Sequence, residues 1–236
     1  MNLELNITLQ CNQACPNCNR MCDIYRDRTE HMSVEQIEKF VEQAKQHGNI
    51  GLVKVAGGEP LLNPHFVEIY DVLVKAAQDK IIGYIKIETN KILPKPKVTE
   101  SQLVKWQGRV LKKKKHQPVL WSPSDLGVKT NCGCQMLRRC GFSLDKYGYL
   151  PCSASIMIVR LFGLTHLYKH DLPKEAWGLE ELCHHCVFSM SADWRAQYSS
   201  KSPTQHTKEE RTPTKSYKEK MDQFNVEEFY KTQKEF

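Results

Sequence analysis

The 236-residue chain lacks long hydrophobic runs. Its apolar stretches are short and interrupted, far below the roughly 20 residues that a helix needs to cross a bilayer. The first residues lead directly into the apolar segment LELNITL, without the basic and then apolar leader that marks a secreted protein. We therefore expect a cytoplasmic protein that has no membrane partner.

The sequence also lacks a strong charge imbalance. Its net charge is +7 and its pI is near 8.8, with 40% apolar and 26% charged residues, a composition ordinary for one sizeable domain or two small ones. The basic residues are concentrated in 112–115 and in 201–236. Such runs suit phosphate or nucleic acid, but they are more often solvated loops, so we do not expect a nucleic-acid partner.

Cysteine, in contrast, is abundant. A disulfide scaffold would suit a small secreted chain, and this chain is neither small nor marked for secretion, so metal ligation accounts better for the thiols. Thiolates at C-x2-C spacing serve zinc as well as iron–sulfur clusters, and both metals remain open from spacing alone. The ten cysteines are at positions 11, 15, 18, 22, 132, 134, 140, 152, 183 and 186.

Two N-terminal motifs are the most informative features. The first is the C-x3-C-x2-C segment of Cys11, Cys15 and Cys18, which follows an apolar run. Three thiolates leave one iron of a four-iron cluster without a protein ligand, so that iron is free to take a substrate or a cofactor. The second motif, about forty residues later, is Gly57-Gly58-Glu59-Pro60, in which glycines allow close backbone approach and a carboxylate follows.

Together these motifs resemble the radical S-adenosylmethionine (radical SAM) enzymes. The resemblance implies a 4Fe-4S cluster on the three cysteines and S-adenosyl-L-methionine (SAM) on the fourth iron, with the methionine end bound by the Gly-Gly-Glu-Pro turn. It also implies a 5'-deoxyadenosyl radical that abstracts a substrate hydrogen, and a low-potential electron donor of the flavodoxin or ferredoxin type. Asn17 departs from the family, which usually has an aromatic residue there over the adenine.

Alternating and helical apolar periods predict a repeated strand, loop and helix order, which is typical of a parallel sheet with crossover helices. Ligand groups in such sheets lie after the carboxyl ends of the strands. The cysteine loop, the Gly-Gly-Glu-Pro turn, Thr89-Asn90 and Ser122 all follow predicted strands, so we expect one site at one edge. The predicted strands are 3–9, 52–56, 81–88 and 118–121, and the predicted helices begin at Ser33, at Asn63-Pro64 and at Thr99, the last carrying Leu103, Trp106 and Val110.

The radical SAM barrel normally has six strand–helix units, whereas about four are visible here. We therefore expect a shortened, partial (β/α) barrel over residues 1–122, with parallel strands. In the radical SAM family the later strands help to bind the adenine and ribose of SAM. Because those strands are not visible here, we expect these contacts from Glu88, Thr89 and Asn90 at the end of the third strand.

Residues 123–198 form a second cysteine-rich segment. A hairpin around Asp145-Lys146 is predicted to bring Cys140 near Cys152, and Cys183 and Cys186 add a C-x2-C pair. The segment resembles the twitch module, a relative of SPASM, which implies one auxiliary 4Fe-4S cluster on these four cysteines. Open alternatives are Cys134 or Cys132 as a substitute ligand, a role for His184 or His185, and zinc instead of iron–sulfur; the role of Cys22 is also open.

An auxiliary cluster that accepts an electron favours a dehydrogenase or an oxidative bond-forming reaction. The substrate is expected to be a small molecule, or a peptide recognised with a separate partner. Asp125 is a candidate general base, and residues 199–236 are predicted to be a polar tail with a short helix over 224–236. The competing classes are a peptide-modifying maturase, a zinc-rich nucleic-acid-binding protein and an iron–sulfur carrier.

Overall fold

The computed structural model describes residues 1–15, 18, 20–22, 30–48, 50–108, 120–132, 134–190 and 213–236. The strands are β1 (Asn2–Asn6), β2 (Ile50–Ala56), β3 (Ile82–Thr89), β4 (Val104–Gly108), β5 (Phe142–Asp145) and β6 (Gly148–Leu150). They form one sheet in the order β4-β3-β2-β1-β5-β6, and all neighbours are parallel except β5 and β6. This mostly parallel α/β sheet fits the partial β/α fold predicted from the sequence.

Two long helices, α1 (Val34–His47) and α2 (Phe66–Gln78), cover one face of the sheet. The capping box predicted for α1 is confirmed, because the Ser33 hydroxyl accepts from the Gln36 backbone at 3.3 Å and the Gln36 side chain accepts from the Ser33 backbone at 3.0 Å. The helix stops at Gly48, which has a φ of 101°. Helix α2 begins at Phe66, slightly after the predicted start, because a single 3-10 turn over Pro60–Leu62 comes first.

The core lies between this sheet face and the two helices. Alternate residues of the strands point into it, and burying each large apolar side chain contributes about 1.5–3 kcal/mol. The remaining positions of β1 point to the opposite face, yet Glu4 and Asn6 are also only 1–2% exposed. The strand predicted from the alternation is confirmed as β1, but it is buried on both faces rather than one, because polar side chains from other segments cover this second face. The strand residues in the core include Leu3, Leu5, Val53, Val55, Ile85 and Ile87.

The helix predicted to begin at Thr99 is wrong. Residues Val104–Gly108 form β4 instead, and the Ile85 N–H donates to the Leu103 carbonyl at 2.9 Å. Trp106 packs on the α2 side against Phe66 and Tyr70, with ring centroids 5.9 and 6.1 Å apart. Sheet pairing and aromatic packing thus prevail over the weak local capping signal. Val110 of the predicted helix lies outside the described residues.

The fourth strand predicted over residues 118–121 is wrong for Leu120 and Trp121, which have no strand pairing; residues 118 and 119 lie outside the described residues. The hairpin predicted around Asp145-Lys146 is confirmed, since Ser143 pairs antiparallel with Leu150. In addition, β5 pairs in parallel with β1. The sheet therefore continues across the boundary that the sequence analysis placed between residues 122 and 123.

Short helices surround the hairpin and follow it. They are α3 (Gln135–Cys140), α4 (Ile156–Leu161) and α5 (Leu179–Cys183), followed by α6 (Lys215–Gln223) and α7 (Val226–Thr232) near the C-terminus. The last two pack onto the hairpin side of the molecule, where Tyr217 is 1% exposed and the Phe236 N–H donates to the Lys146 carbonyl at 2.8 Å. Within the described ranges, no helix has the length and apolar character needed to cross a bilayer.

Candidate active site

The β1–β2 ladder continues beyond both strands into the two N-terminal motifs. The Gly58 N–H donates to the Thr8 carbonyl at 2.8 Å, and the Glu59 N–H donates to the Gln10 carbonyl at 2.9 Å. This pairing sets the Gly-Gly-Glu-Pro turn beside the residues that lead into Cys11. The sequence prediction that both motifs lie at the carboxyl edge of the sheet agrees with this geometry.

The two glycines permit this close approach of two backbone segments. A Cβ atom on Gly57 would lie 2.1 Å from the Thr8 oxygen, and one on Gly58 would lie 2.2 Å from the Gln10 oxygen. Gly57 also has a φ of 134°, which residues with a side chain rarely adopt. The glycine pair predicts the close approach of a ligand, whereas the contacts here are with the protein's own backbone.

Glu59 is fully buried and joins three segments. One carboxylate oxygen accepts from the Leu61 N–H at 3.2 Å, and the other accepts from the Asn90 N–H at 2.7 Å. The Asn90 side-chain amide contacts the Asn12 oxygen at 2.6 Å and the Cys11 sulfur at 4.0 Å. The structure thus brings Glu59, the end of β3 and the cysteine loop together, as the sequence predicted.

Four thiols interact in this loop, and we call Cys11, Cys15, Cys18 and Cys22 the first thiol group. The thiol of Cys22, which is 2% exposed, lies in hydrogen-bonding contact with the sulfurs of Cys11 and Cys18, and its single S–H can be donated to either one. This contact lowers the pKa of Cys11 to about 7 and, together with backbone N–H groups of Cys22 and Arg20, lowers that of Cys18 to about 5. Thiolates are the metal-binding form of cysteine, so both sulfurs are prepared for a metal.

The first thiol group supplies the donor type that an iron–sulfur cluster takes, one thiolate on each of several irons. The buried carboxylate of Glu59 lies in the neighbouring turn. Among the described residues, no three His, Cys, Asp or Glu side chains are grouped so that they could hold one metal ion. Asn17, the departure from the family motif, lies outside the described residues.

The pKa of Cys15 is raised, whereas those of Cys11 and Cys18 are lowered. Burial raises the pKa of Cys15, and the charges of Cys18 and Cys11 raise it further. Its sulfur is 3.3 Å from the Gln13 side-chain oxygen. Cys15 is therefore the thiol of the predicted C-x3-C-x2-C set that holds its proton most firmly before metal binds.

A charged network lies on the sheet face opposite α1 and α2. Glu4 forms ion pairs with both Arg20 and Lys54, and Arg20 also donates to the Asn6 side chain at 2.8 Å. Glu88 pairs with Lys86 at 2.9 Å and with Lys54 at 3.5 Å. Burial by itself would raise the pKa of Glu88, but the two lysines lower it. Glu88, predicted as a cofactor contact, is held in this network, and Thr89 accepts from the Lys91 N–H at 3.1 Å.

A second thiol group comprises Cys132, Cys134, Cys152, Cys183 and Cys186. Burial raises the pKa of Cys183, and a hydrogen bond with Cys132 raises it further, as do the charges of Cys186 and Cys152. Burial also raises the pKa of Cys152 and of Cys186, and both interact with Cys134. Three of the four predicted auxiliary ligands therefore lie together, with the two cysteines that the sequence left open.

Cys140 differs from the other three predicted ligands. The hairpin brings its backbone close to that of Cys152, since the Ser153 N–H donates to the Gly141 carbonyl at 3.1 Å. Its sulfur, however, lies 4.0 Å from the Lys54 ammonium nitrogen, on the charged face of the sheet. Cys140 lies toward the opposite end of the strands from Cys11, because it precedes β5, which begins beside Leu3, while Cys11 follows the carboxyl end of β1.

Ser122 and Asp125 lie with the second part of the molecule. The Ser122 hydroxyl donates to the His184 carbonyl at 3.1 Å, and Asp125 accepts from the Ser216 N–H and hydroxyl at 2.9 and 2.7 Å. The structure does not bring either residue to the first thiol group. His185 stacks on Phe162, with ring centroids 3.9 Å apart. The Ser122 placement corrects the expectation of a fourth strand end at the edge.

The role of Cys22 is open from the sequence, and the structure places its buried thiol beside the sulfurs of Cys11 and Cys18. Other site residues were missed from the sequence. Glu4 and Lys54 were missed because a charged residue within a strand is usually exposed, so their sequence positions do not indicate a buried ion pair. Arg20 follows the cysteine motif closely, but its partners come from β1 and become visible only in the fold.

Comparison with known proteins agrees with this geometry. Residues 5–103 match the family model of the Radical SAM superfamily. A similar curated protein is a probable GTP 3',8-cyclase of Pyrococcus abyssi (strain GE5 / Orsay), 40% identical over 68 residues. The matched segment covers 29% of this chain and 21% of that protein, so the chain spans about a fifth of the relative's length. The chain is therefore similar to the Radical SAM superfamily over residues 5–103, the part that carries both N-terminal motifs.

Proposed function

We propose that this protein is a radical SAM oxidoreductase that removes a hydrogen atom from its substrate. The observation that carries the proposal is the contact chain from buried Glu59 through Asn90 to Cys11, which unites three motif-bearing loops. When bound, a 4Fe-4S cluster and SAM would supply a 5'-deoxyadenosyl radical at this edge of the sheet.

Each residue at the edge has a distinct role in this proposal. Cys11, Cys15 and Cys18 hold the cluster, and the Cys22 thiol donates its single hydrogen to one of the two sulfurs it contacts, Cys11 or Cys18. Glu59 accepts hydrogen bonds from the SAM ammonium in addition to the backbone groups that fix its orientation. Gly57, Gly58 and Pro60 shape the turn around it. Thr89 and Asn90 lie beside this carboxylate and are the proposed contacts for the adenosyl part of SAM.

The first test combines metal analysis with SAM cleavage. Protein purified without oxygen should contain iron, bind SAM, and form 5'-deoxyadenosine when dithionite is added. Glu59→Gln should keep its iron but bind SAM about tenfold or more weakly, because a charged hydrogen-bond acceptor is lost. Glu68→Gln, on the exposed side of α2, is the matched control and should bind SAM normally.

Several outcomes would contradict the proposal. Unchanged SAM affinity in the Glu59→Gln variant would remove the proposed role of the carboxylate. Bound iron without any formation of 5'-deoxyadenosine would favour an iron–sulfur carrier. A colourless, zinc-containing protein with salt-dependent affinity for DNA or RNA would instead favour a nucleic-acid-binding protein.

The second thiol group is proposed to hold an auxiliary 4Fe-4S cluster. We assign Cys134, Cys152, Cys183 and Cys186 as its ligands, with Cys134 replacing Cys140, because the Cys140 sulfur faces Lys54. The substrate then gives one electron to this site, and the net reaction is an oxidation. A dehydrogenase or an oxidative bond-forming enzyme is the proposed reaction type, supplied with electrons by a flavodoxin- or ferredoxin-type donor.

Matched cysteine variants test this ligand set. Wild-type protein should hold about eight irons per chain, and Cys134→Ser should hold about four because the auxiliary cluster is lost. Cys140→Ser is the control and should keep the full iron content. If Cys140→Ser lost about half of the iron and Cys134→Ser kept it all, Cys140 would be the ligand in place of Cys134. Zinc at the second site would refute the auxiliary cluster altogether.

A further inference from the structure

The strand register aligns charged side chains in a row across the sheet. Glu4 pairs with Lys54, Lys54 pairs with Lys86, and Lys86 pairs with Lys105, so all four side chains leave the same face. This face is opposite to α1 and α2, which pack on the alternate strand positions. We call Lys54, Lys86 and Lys105 the lysine row.

Neighbouring like charges make this row costly for the protein alone. Like charges directly opposite each other on adjacent strands destabilise a sheet. Two carboxylates, Glu4 and Glu88, partly neutralise Lys54 and Lys86, but Arg20 shares Glu4. Lys105 is exposed and has no ion pair within the described part of the chain. Within the described part of the chain, the three lysines of the row have two carboxylate partners, Glu4 and Glu88, so the row carries more positive charge than these carboxylates balance.

The solvent exposure of the lysine row increases from Lys54 through Lys86 to Lys105. The Lys54 side chain is 14% exposed and that of Lys86 is 25% exposed, while Lys105 is open to solvent on the outer strand β4. Adjacent strands are about 4.8 Å apart, so the row spans about 10 Å. This length suits a multiply charged group such as a diphosphate or a polycarboxylate better than one small ion.

The row also lies at a suitable distance from the candidate active site. Lys86 and Asn90 are on the same chain segment, and four residues of extended strand cover about 13 Å. A small molecule anchored by an anionic group at Lys86 would therefore extend toward the edge where Glu59 and Cys11 lie. The lysines hold one end of such a molecule, and the reacting carbon lies at the other end.

We propose that the lysine row binds a phosphate or carboxylate group of the substrate, so that the substrate is an anionic small molecule. The inference rests on the proposed function, because the row is assigned to the same site. It also explains why lysines occupy three neighbouring strands on a partly enclosed face, where a solvated surface would favour mixed charges.

The test measures anion binding to the whole, anaerobically purified protein by calorimetry. Inorganic pyrophosphate and citrate are the two probes, and their comparison distinguishes phosphate from carboxylate recognition. Lys105→Gln should weaken binding about tenfold or more, because a charge-assisted hydrogen bond is lost without unpairing a carboxylate. Lys86→Gln should weaken it similarly. Lys45→Gln, an exposed lysine on α1 across the sheet, is the matched control.

The outcomes separate this inference from the proposed function. No binding of either probe to wild-type protein, or equal binding to wild type and Lys105→Gln, would overturn the lysine row as an anion site. If wild-type protein cleaves SAM but fails this test, the row alone is refuted. If wild-type protein binds a probe through Lys105 but never forms 5'-deoxyadenosine, the anion site stands and the radical SAM function is refuted.

Discussion

At the scale of single residues, the Gly-Gly-Glu-Pro turn shows how one motif serves two purposes. Its glycines allow the turn to lie against Thr8 and Gln10, and its carboxylate is consequently buried beside the cysteine loop. A side chain at either glycine would push apart the two segments that the candidate site requires. The geometry of the cysteine loop therefore depends on residues more than forty positions away in the sequence.

Gly58→Ala should destabilise the protein and reduce its iron content. A Cβ at this position would lie 2.2 Å from the Gln10 oxygen, and forcing extra atoms into a packed site typically costs about 1–3 kcal/mol. The displaced segment carries Cys11, so cluster incorporation should fall as well. Urea unfolding and iron analysis measure the two effects. Gly51→Ala is the control, because its Cβ would meet no atom closer than 3.5 Å; an equal loss in both variants would refute the argument.

The residues of the N-terminal motifs were predictable because each follows the end of a strand, and parallel strands bring such ends to one edge. Asn90 was located in this way, and its contacts with Glu59 and Cys11 agree. The contacts of the Cys22 thiol with two other thiols and the pairing of Arg20 with Glu4 were not predictable. Both depend on how the loop folds over the sheet, and the spacing of apolar and polar residues within one segment does not indicate this.

At the scale of elements, a buried ion network fixes α4 against the hairpin. Arg160 of α4 contacts Glu30 at 2.8 and 3.0 Å and Asp145 at 2.7 Å, and all three side chains are almost fully buried. Tyr168 also donates to Asp145 at 2.9 Å. Because Glu30 lies just before α1, this network connects the first part of the chain with the second. This network was not predictable from the sequence, since the three residues are far apart along the chain.

Arg160→Met should lower the free energy of unfolding by about 3–5 kcal/mol at neutral pH, because two buried carboxylates lose their counter-charge. Arg138→Met, on an exposed position of α3, should change stability little. Chemical denaturation of both variants makes the comparison. A loss no larger for Arg160 than for Arg138 would show that the network contributes nothing measurable.

Asp145 should make stability depend on pH. Burial raises the pKa of Asp145 above its ordinary value of 3.8, and Arg160 only partly opposes this. The stabilising effect of protonation is therefore fully present below pH 3.8 and is lost as the pH rises through the raised value. Asp145→Asn cannot ionise, so its stability relative to wild type should improve from acid to neutral pH. Urea unfolding across this range tests the sign, and a constant difference would contradict it.

The elements also show where local patterns fail. Leu103 and Trp106 have a spacing that fits a helix, yet the segment forms β4 because it pairs with β3 and stacks Trp106 on the aromatic side chains of α2. The hairpin of β5 and β6 was predictable from its turn residues and alternation. Its parallel pairing with β1 was not, because a partner distant in sequence leaves no local signal.

At the scale of the whole molecule, a single sheet joins the two cysteine-rich parts. Strand β1 lies between β2 and β5, so the loop with the first thiol group and the hairpin next to the second one share a central strand. The lysine row lies on β2, β3 and β4, on the other side of β1 from this hairpin. An anionic substrate on the row would thus extend along the sheet toward the proposed site of hydrogen abstraction.

This shared strand predicts one cooperative unfolding transition for the metal-free, reduced protein. Trp106 on β4 reports on the first part, and Trp177, which packs on Phe142 at 5.5 Å, reports on the second. The Trp177→Phe variant removes the fluorescence reporter of the second part, and the Trp106→Phe variant removes that of the first part. Phe142→Ala should lower stability by about 3–5 kcal/mol for both reporters equally, because β5 and β1 unfold together. Separate midpoints, or a shift seen only with Trp177, would mean that the two parts fold independently.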